Sequence, residues 1–272
     1  MHERQVLTAE LIGTFVFMLA GPGILVLGAP TLGDATQLTV ALAVGAAVAA
    51  VIASVCRVSG GHLNPVVSLA MLLAGRIQPR TLPSYLVGQV VGATLGGLTI
   101  WTIANNASDS SPLGRTWDGA GDTNFATNLW TNDFMGFWPM VIAEVLFTAL
   151  LVYVYLTVTG KDSRATPAGA ISIGSVLGVL YLLSIPIDNA SLNPVRSAAM
   201  ALFAGSESLE QLWAFVVFPL LGALVGVIIY RMMLVGAPEA APLGTPPAMP
   251  VSNSVRDAAA RATASVQDAV DD

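Results

Sequence analysis

The sequence predicts an all-α membrane protein with six transmembrane helices and two re-entrant half-helices, arranged as an inverted repeat. Three observations lead to this fold class. Hydrophobic residues make up 54% of the chain and charged residues only 10%, whereas a soluble domain has about 25% charged residues. Long uncharged stretches recur along the chain, and the tripeptide Asn-Pro-Val occurs twice, at residues 64–66 and 193–195.

Six stretches are long enough to cross a bilayer, because a spanning helix needs about 20 mostly apolar residues. They are residues 11–33, 35–56, 81–108, 134–160, 165–187 and 211–230. Glu144 is the one charged residue in the fourth stretch. The first stretch is too long for the apolar part of a signal peptide, and Glu10 lies in the same candidate helix, so we expect no cleaved leader.

Each Asn-Pro-Val copy indicates the start of a helix. Proline is tolerated at the first helical position, where the N–H that it lacks would have no partner, and the asparagine before it can cap the helix. The helices that follow, at about 65–74 and 194–204, are too short to cross the bilayer and are therefore predicted to be re-entrant. Two half-helices at corresponding places of a duplicated membrane protein indicate a binding or permeation site near the middle of the membrane.

The two halves of the chain resemble each other weakly. The matched pairs, at offsets of 134, 129 and 130 residues, are Glu10 with Glu144, Asn64 with Asn193, and Gly92 with Gly222. Each half has three spans, so the second half enters the membrane upside down relative to the first. We expect a transmembrane channel domain at 1–236, with inverted repeats at about 5–104 and 137–235. Glycines spaced four apart predict close helix packing; they are Gly88, Gly92, Gly96, Gly222 and Gly226.

The distribution of basic residues predicts the orientation. Nine of the 11 Lys and Arg residues lie on the side of the termini, which the positive-inside rule assigns to the cytoplasm. The nine are Arg4, Arg57, Arg76, Arg80, Lys161, Arg164, Arg231, Arg256 and Arg261. The polar segment 105–136 is predicted to be an ordinary long outer loop. Residues 237–272 are predicted to be a flexible cytoplasmic tail, with a weak amphipathic helix at 251–272 as the alternative.

The motifs identify the chain as similar to the aquaporin (major intrinsic protein) family, in particular to the bacterial aquaporin Z type. The resemblance is carried by residues 59–66 and 185–197, which hold the two Asn-Pro motifs and an arginine directly after the second, and it covers about residues 5–235. It implies an aquaporin-like fold of six tilted helices and two half-helices around one pore per subunit. It also implies a homotetramer in the plasma membrane, here a bacterial inner membrane.

The resemblance assigns the two motifs to the centre of the pore. They are Asn64, Pro65 and Val66 in the first half and Asn193, Pro194 and Val195 in the second. Two half-helix N-termini that meet there present the positive ends of their dipoles. The asparagine N–H groups would orient a passing water, so that it cannot relay protons, and cations would be repelled; aquaporin-type pores are themselves the standard example of such exclusion. The family has Ala where this chain has valine, so the extra methyl groups must pack between the motifs or protrude into the pore.

The resemblance also assigns four residues to an outer selectivity filter. Val44, Tyr181 and Ala190 replace the Phe, His and Thr of water-selective relatives, and Arg196 is the filter arginine. Arg196 would donate to the permeant and repel cations; a salt bridge to Asp188 is the structural alternative. The resulting filter is less polar than a strict water filter.

Other positions can be compared with the water channels and the glycerol facilitators of the family. Ser197, Ala201 and Phe215 fit the water-channel pattern, whereas Val216 replaces an expected tryptophan. The Asp and Lys or Arg that glycerol facilitators have at positions 197 and 201 are absent.

Two carboxylates and one histidine remain to be explained. Glu10 and Glu144 lie inside the membrane spans, where ionisable residues often mark pathways such as proton relays. The family resemblance implies a structural role instead, in which each accepts hydrogen bonds from the backbone N–H groups of a re-entrant loop, since irregular backbone at membrane depth needs such partners. His62 is predicted to line the vestibule beside the carbonyl groups of Gly60 and Gly61, with a gate or pH sensor as the alternative.

The sequence therefore predicts a passive water channel that excludes protons and ions and also passes some small uncharged solutes. The alternatives are a facilitator for glycerol, hydrogen peroxide or another small neutral solute, a proton-coupled transporter that uses the two carboxylates, and a structural membrane protein with a closed pore. No nucleophile–base pair, phosphate-binding loop or metal cluster is present, so we predict no enzyme, metal site or cofactor. The single Cys56 excludes a disulfide within the chain. The expected partners are water, small solutes, lipid and further copies of the chain, with no nucleic acid.

Overall fold

The computed structural model describes residues 2–28, 36–111, 124–131, 135–160 and 165–234. The predicted tail at 237–272 lies outside these residues. Ten α-helices occur in the described part: α1 His2–Ala20, α2 Pro22–Leu27, α3 Thr36–Val55, α4 Pro65–Leu73, α5 Leu82–Asn105, α6 Phe137–Val158, α7 Pro167–Asp188, α8 Pro194–Ala204, α9 Ser206–Gln211 and α10 Ala214–Leu234. Two short 3-10 helices, Pro79–Thr81 and Asn124–Ala126, complete them.

Six helical segments have the length and hydropathy of membrane spans, as predicted. They are Glu3–Leu27, Gln37–Val55, Pro79–Asn105, Phe137–Val158, Pro167–Asp188 and Ser206–Met233. The first span begins before the uncharged stretch that starts at residue 11, and Glu10 lies buried within α1, in the same helix as predicted. This span is interrupted at Gly21, after which Pro22 opens the short helix α2.

The two predicted half-helices are α4 and α8, and each starts as its motif indicates. Asn64 Oδ1 accepts a hydrogen bond from the backbone N–H of Val66 at 3.1 Å, and Asn193 Oδ1 accepts one from Val195 at 3.2 Å. Each asparagine therefore satisfies one of the N–H groups that a helix start leaves without a partner.

Close backbone approach through glycine joins the spans in pairs. An added Cβ atom at Gly222 would lie 2.5 Å from the carbonyl oxygen of Val145, and one at Gly226 would lie 2.6 Å from that of Ala149. Helices α6 and α10 therefore pack with no room for larger side chains, and Gly88, Gly92 and Gly96 act in the same way between α5 and α1.

A third seam of small residues, which the sequence analysis did not single out, joins the two halves. It runs between α3 and α7, where an added Cβ atom at Gly45 would lie 2.9 Å from the Gly174 carbonyl oxygen. One at Gly178 would lie 2.7 Å from the Ala41 carbonyl oxygen. The half-helix α4 contacts α5, α6 and α10, and the half-helix α8 contacts α5 and α10.

The polarity of the molecule is that of a membrane protein. Large apolar side chains such as Trp138, Ile142 and Leu42 are exposed on the outside of the bundle, whereas Glu10, Glu144, Asp188 and Arg196 are buried inside it. A bilayer would cover the apolar exterior, and the buried charges need partners within the protein. Those partners define the site described next.

The segment 105–136 was predicted to be an ordinary outer loop, but its part at 124–131 packs into the bundle. Phe125 and Leu129 are buried, and the Phe125 ring packs against Phe203 of α8 with centroids 5.8 Å apart. The apolar side chains of this otherwise polar segment draw it into the bundle, since burying them removes apolar surface from water. The segment thereby brings Asn128 beside the second half-helix.

Candidate functional site

The two loops that precede the half-helices have related, strained backbones. Positive φ angles occur at Gly60, Gly61 and Leu63 in the first loop and at Asn189, Ala190 and Leu192 in the second. For a residue other than glycine this conformation costs about 1–2 kcal/mol. Such strain persists only where the surrounding structure holds the loop firmly.

The buried carboxylates hold these loops. Glu10 Oε1 accepts a hydrogen bond from the His62 N–H at 2.9 Å, and Glu10 Oε2 accepts one from Leu63 at 2.7 Å. Gln89 Nε2 donates a third bond to Glu10 Oε2 at 2.8 Å. In the second half, the Leu192 N–H donates to both oxygens of Glu144, at 3.2 and 3.1 Å. Each carboxylate thus contacts the loop of its own half.

The two capping asparagines also tie the halves together. Asn64 Nδ2 donates to the carbonyl oxygen of Leu192 at 2.7 Å, and Asn193 Nδ2 donates to that of Leu63 at 2.9 Å. A side-chain amide has two N–H donors, so each asparagine keeps one for a molecule beside it. The sequence indicated the caps but contained no signal for these crossed contacts.

A narrow cavity runs past both asparagines. The space open to the centre of a water-sized sphere is about 20 Å³, and a water needs roughly 10–15 Å³ by this measure. Its walls are mostly apolar and are formed by Phe17, Val48, His62, Leu63, Asn64, Val67, Leu151, Tyr155, Leu177, Tyr181, Ser191, Leu192 and Asn193. Val66 and Val195 are buried but are not among the lining residues, so their methyl groups pack inside the protein.

The four residues assigned to the filter are all buried, and two of them meet at the break in the first span. An added Cβ atom at Gly21 would lie 3.5 Å from Val44 Cγ2 and 3.6 Å from Tyr181 Cε1. Tyr181 lines the cavity, whereas Val44, Ala190 and Arg196 do not. The Tyr181 hydroxyl lies near the Arg196 guanidinium.

Asn128 and a loop carbonyl group hold the Arg196 guanidinium. Its Nη1 donates to Asn128 Oδ1, and its Nη2 donates to the Asn189 carbonyl oxygen at 2.9 Å. The Asp188 side chain is engaged elsewhere, since its Oδ1 accepts from Ser184 and from the Ala190 N–H. The guanidinium therefore has neutral partners and not the Asp188 salt bridge considered above.

Asn128 is the functional residue that sequence reasoning missed. Its Oδ1 also accepts from Ser197 Oγ at 2.7 Å, and its Nδ2 donates to the Asp188 carbonyl oxygen at 2.9 Å. One amide thus joins the outer segment, the end of α7 and the start of α8. The available signal was the pair of large apolar residues, Phe125 and Leu129, in a polar stretch.

His62 lies at the other end of the cavity in a polar, aromatic setting. Its Nδ1 is 3.1 Å from Ser68 Oγ, and its ring stacks on Tyr85 with centroids 4.4 Å apart. Gly61 presents its carbonyl oxygen to the Tyr155 hydroxyl at 3.0 Å, and Gly60 is buried beside it.

The arrangement suits the passage of one small neutral molecule at a time. The walls offer few polar groups, and those that they offer are fixed by hydrogen bonds to buried partners. Within the described ranges, no group of three or more His, Cys, Asp or Glu residues could hold a metal ion.

Comparison with known proteins finds similar sequences and a similar fold. The family profile "Major intrinsic protein" matches residues 1–230. The chain is 37% identical over 233 residues to Aquaporin Z of Photorhabdus laumondii subsp. laumondii, covering 84% of this chain and 96% of that protein. It is also 37% identical over 235 residues to Aquaporin Z of Brucella melitensis, covering 84% and 97%.

Among solved structures, the aquaglyceroporin from Plasmodium falciparum has a similar fold. It superposes with a TM-score of 0.68 at 21% sequence identity, covering 87% of this chain and 98% of that one.

Proposed function

The chain belongs to the major intrinsic protein family of membrane channels, and from that premise we propose that it conducts water passively across the plasma membrane while excluding ions and protons. The observation that carries this proposal is the pair of capping asparagines, Asn64 and Asn193. They lie at the N-termini of two half-helices and border the same water-sized cavity.

The asparagine pair provides the means of selection. The N-terminus of a helix has a partial positive charge, equivalent to about half an elementary charge, and two such termini repel a cation in the cavity. A water beside both amides accepts a hydrogen bond from each, so its own protons point away from the pore centre. It then cannot pass a proton along the file, which is the exclusion for which aquaporin-type pores are the standard example.

Arg196 provides a second barrier at the outer side. Its charge is buried, and its Nη1 and Nη2 atoms donate hydrogen bonds to neutral oxygen atoms. We propose that it repels cations there and donates to the permeant, beside Tyr181, Val44 and Ala190.

A facilitator of small neutral solutes is the second candidate. Val44 and Ala190 have small side chains where water-selective relatives have Phe and Thr, which favours a wider filter. A proton-coupled transporter is less well supported, because the oxygens of Glu10 and Glu144 accept hydrogen bonds from loop N–H groups.

Three further properties belong to the same proposal. The distribution of Lys and Arg favours cytoplasmic termini, and the family resemblance favours a homotetramer. The channel domain at 1–236 would then form one pore in each subunit.

Reconstituted protein tests the proposal directly. Liposomes that contain the purified chain are mixed with a sucrose gradient, and their shrinkage is followed by stopped-flow light scattering; a glycerol gradient follows. Fast shrinkage in sucrose with slow re-swelling in glycerol is the result expected for a water channel. Fast re-swelling would favour the facilitator, and shrinkage no faster than that of empty liposomes would refute both.

A further inference from the structure

Two glycines of the first span, Gly13 and Gly21, lie at two different heights along the cavity. An added Cβ atom at Gly13 would meet the side chain of Leu63, whose carbonyl oxygen accepts the Asn193 bond. Gly13 therefore lies at the level of the asparagine pair. An added Cβ atom at Gly21 would lie 3.5 Å from Val44 Cγ2, which places Gly21 at the level of the filter.

Phe17 lies between these two levels, one helical turn from each, since a turn takes 3.6 residues. Its ring is 3% exposed, borders the cavity and meets the Tyr181 ring edge to face, with centroids 6.4 Å apart at 82°. Val48 and Leu177 border the same cavity, one turn along α3 and α7 from Val44 and Tyr181. These three residues, Phe17, Val48 and Leu177, form an inner layer below the filter.

The bulk of the wall differs between the two layers. In the filter layer, Gly21, Val44 and Ala190 contribute little side-chain volume, and the large side chains are one ring, Tyr181, and the Arg196 guanidinium. In the inner layer, Phe17 contributes a second ring held against the first. The edge-to-face contact is a favoured geometry for two aromatic rings, so the Phe17 ring has a defined position and not a loose one.

We propose that Phe17 is a specificity-determining residue of this channel, whose ring excludes polyols one turn inside the filter. The inference rests on the proposed function as a channel for water. A water fits between the ring and the facing walls and keeps hydrogen bonds to the waters before and after it. A polyol such as glycerol is wider, and its hydroxyl groups would face an apolar ring that offers them no partner.

The test compares glycerol and water permeability in liposomes that contain the full chain. Phe17→Leu should raise the glycerol-to-water ratio about tenfold, the lower end of what a small change of apolar volume gives in a snug site. Phe15→Leu is the matched control, because Phe15 lies two residues away on the same helix and is not part of the cavity wall. It should leave the ratio at the parent value.

Two further variants separate a steric role from a general loosening of the fold. Phe17→Tyr keeps the ring and should keep the low ratio, and adding Val44→Phe to Phe17→Leu should lower the raised ratio by placing a second ring at the level of the filter. An unchanged ratio in Phe17→Leu, or an equal rise in Phe17→Tyr or in Phe15→Leu, would overturn the inference while the parent still conducts water. A parent without water flux would overturn the proposed function and this inference together.

Discussion

Replacement of each buried carboxylate by its amide should affect the two halves of the protein unequally. Glu10 receives hydrogen bonds from at least three donors, the N–H groups of His62 and Leu63 and the Nε2 of Gln89. A glutamine has one acceptor oxygen and would turn its own N–H₂ toward at least one of these donors. A buried donor left without a partner costs about 1–3 kcal/mol, so we expect Glu10→Gln to lower the free energy of unfolding by at least this amount.

Glu144→Gln should be much milder. Both oxygens of Glu144 accept from the single N–H of Leu192, so one amide oxygen suffices for that donor. The new N–H₂ group can donate toward the Asp188 carboxylate beside it. The Leu192 N–H therefore keeps an acceptor, and the loss should be about 1 kcal/mol or less.

Equilibrium unfolding in mixed detergent micelles, followed by tryptophan fluorescence and circular dichroism, measures the difference. Glu3→Gln is the matched control, because Glu3 is exposed at the start of α1, and its free energy of unfolding should equal that of the parent. A loss of stability in Glu144→Gln as large as that in Glu10→Gln would refute the hydrogen-bond count on which the reasoning depends.

Three other experiments follow from the geometry. The double substitution Val66→Ala with Val195→Ala should leave water permeability at the parent value, because neither side chain borders the cavity. It should lower the free energy of unfolding by roughly 2 kcal/mol per site through lost packing. A large rise in stopped-flow water flux would contradict the first expectation. Gly226→Ala should destabilise the protein by about 1–3 kcal/mol in micelle unfolding, because its Cβ would lie 2.6 Å from a carbonyl oxygen of α6. Gly23→Ala, with its nearest neighbour at 3.4 Å, serves as the control and should be tolerated. Asn128→Ala should release the Arg196 guanidinium and raise glycerol or urea flux relative to water in liposomes; an unchanged ratio would show that the amide does not position it.

Local patterns in the sequence determined the fold class and the centre of the site. Span length and lack of charge predict a membrane helix wherever the chain meets lipid, and the described part of the chain has six such helices. The Asn-Pro pairs specify helix starts through bonds between residues two apart, such as Asn64 with Val66. Glycines four apart predicted close helix packing on α5 and α10, because the spacing of a helix face is itself local; the structure shows that their partners are α1 and α6.

Only the tertiary structure decided how these parts meet. The crossed bonds from Asn64 to Leu192 and from Asn193 to Leu63 join residues 128 and 130 positions apart, and Asn128 reaches Arg196 from a segment whose composition indicates a loop. Such contacts depend on the distance between backbones, which the glycine seams set and which no short stretch encodes. The inward packing of Val66 and Val195 also depends on tertiary structure. Whether a side chain faces the cavity or the protein interior is decided by the elements that surround it.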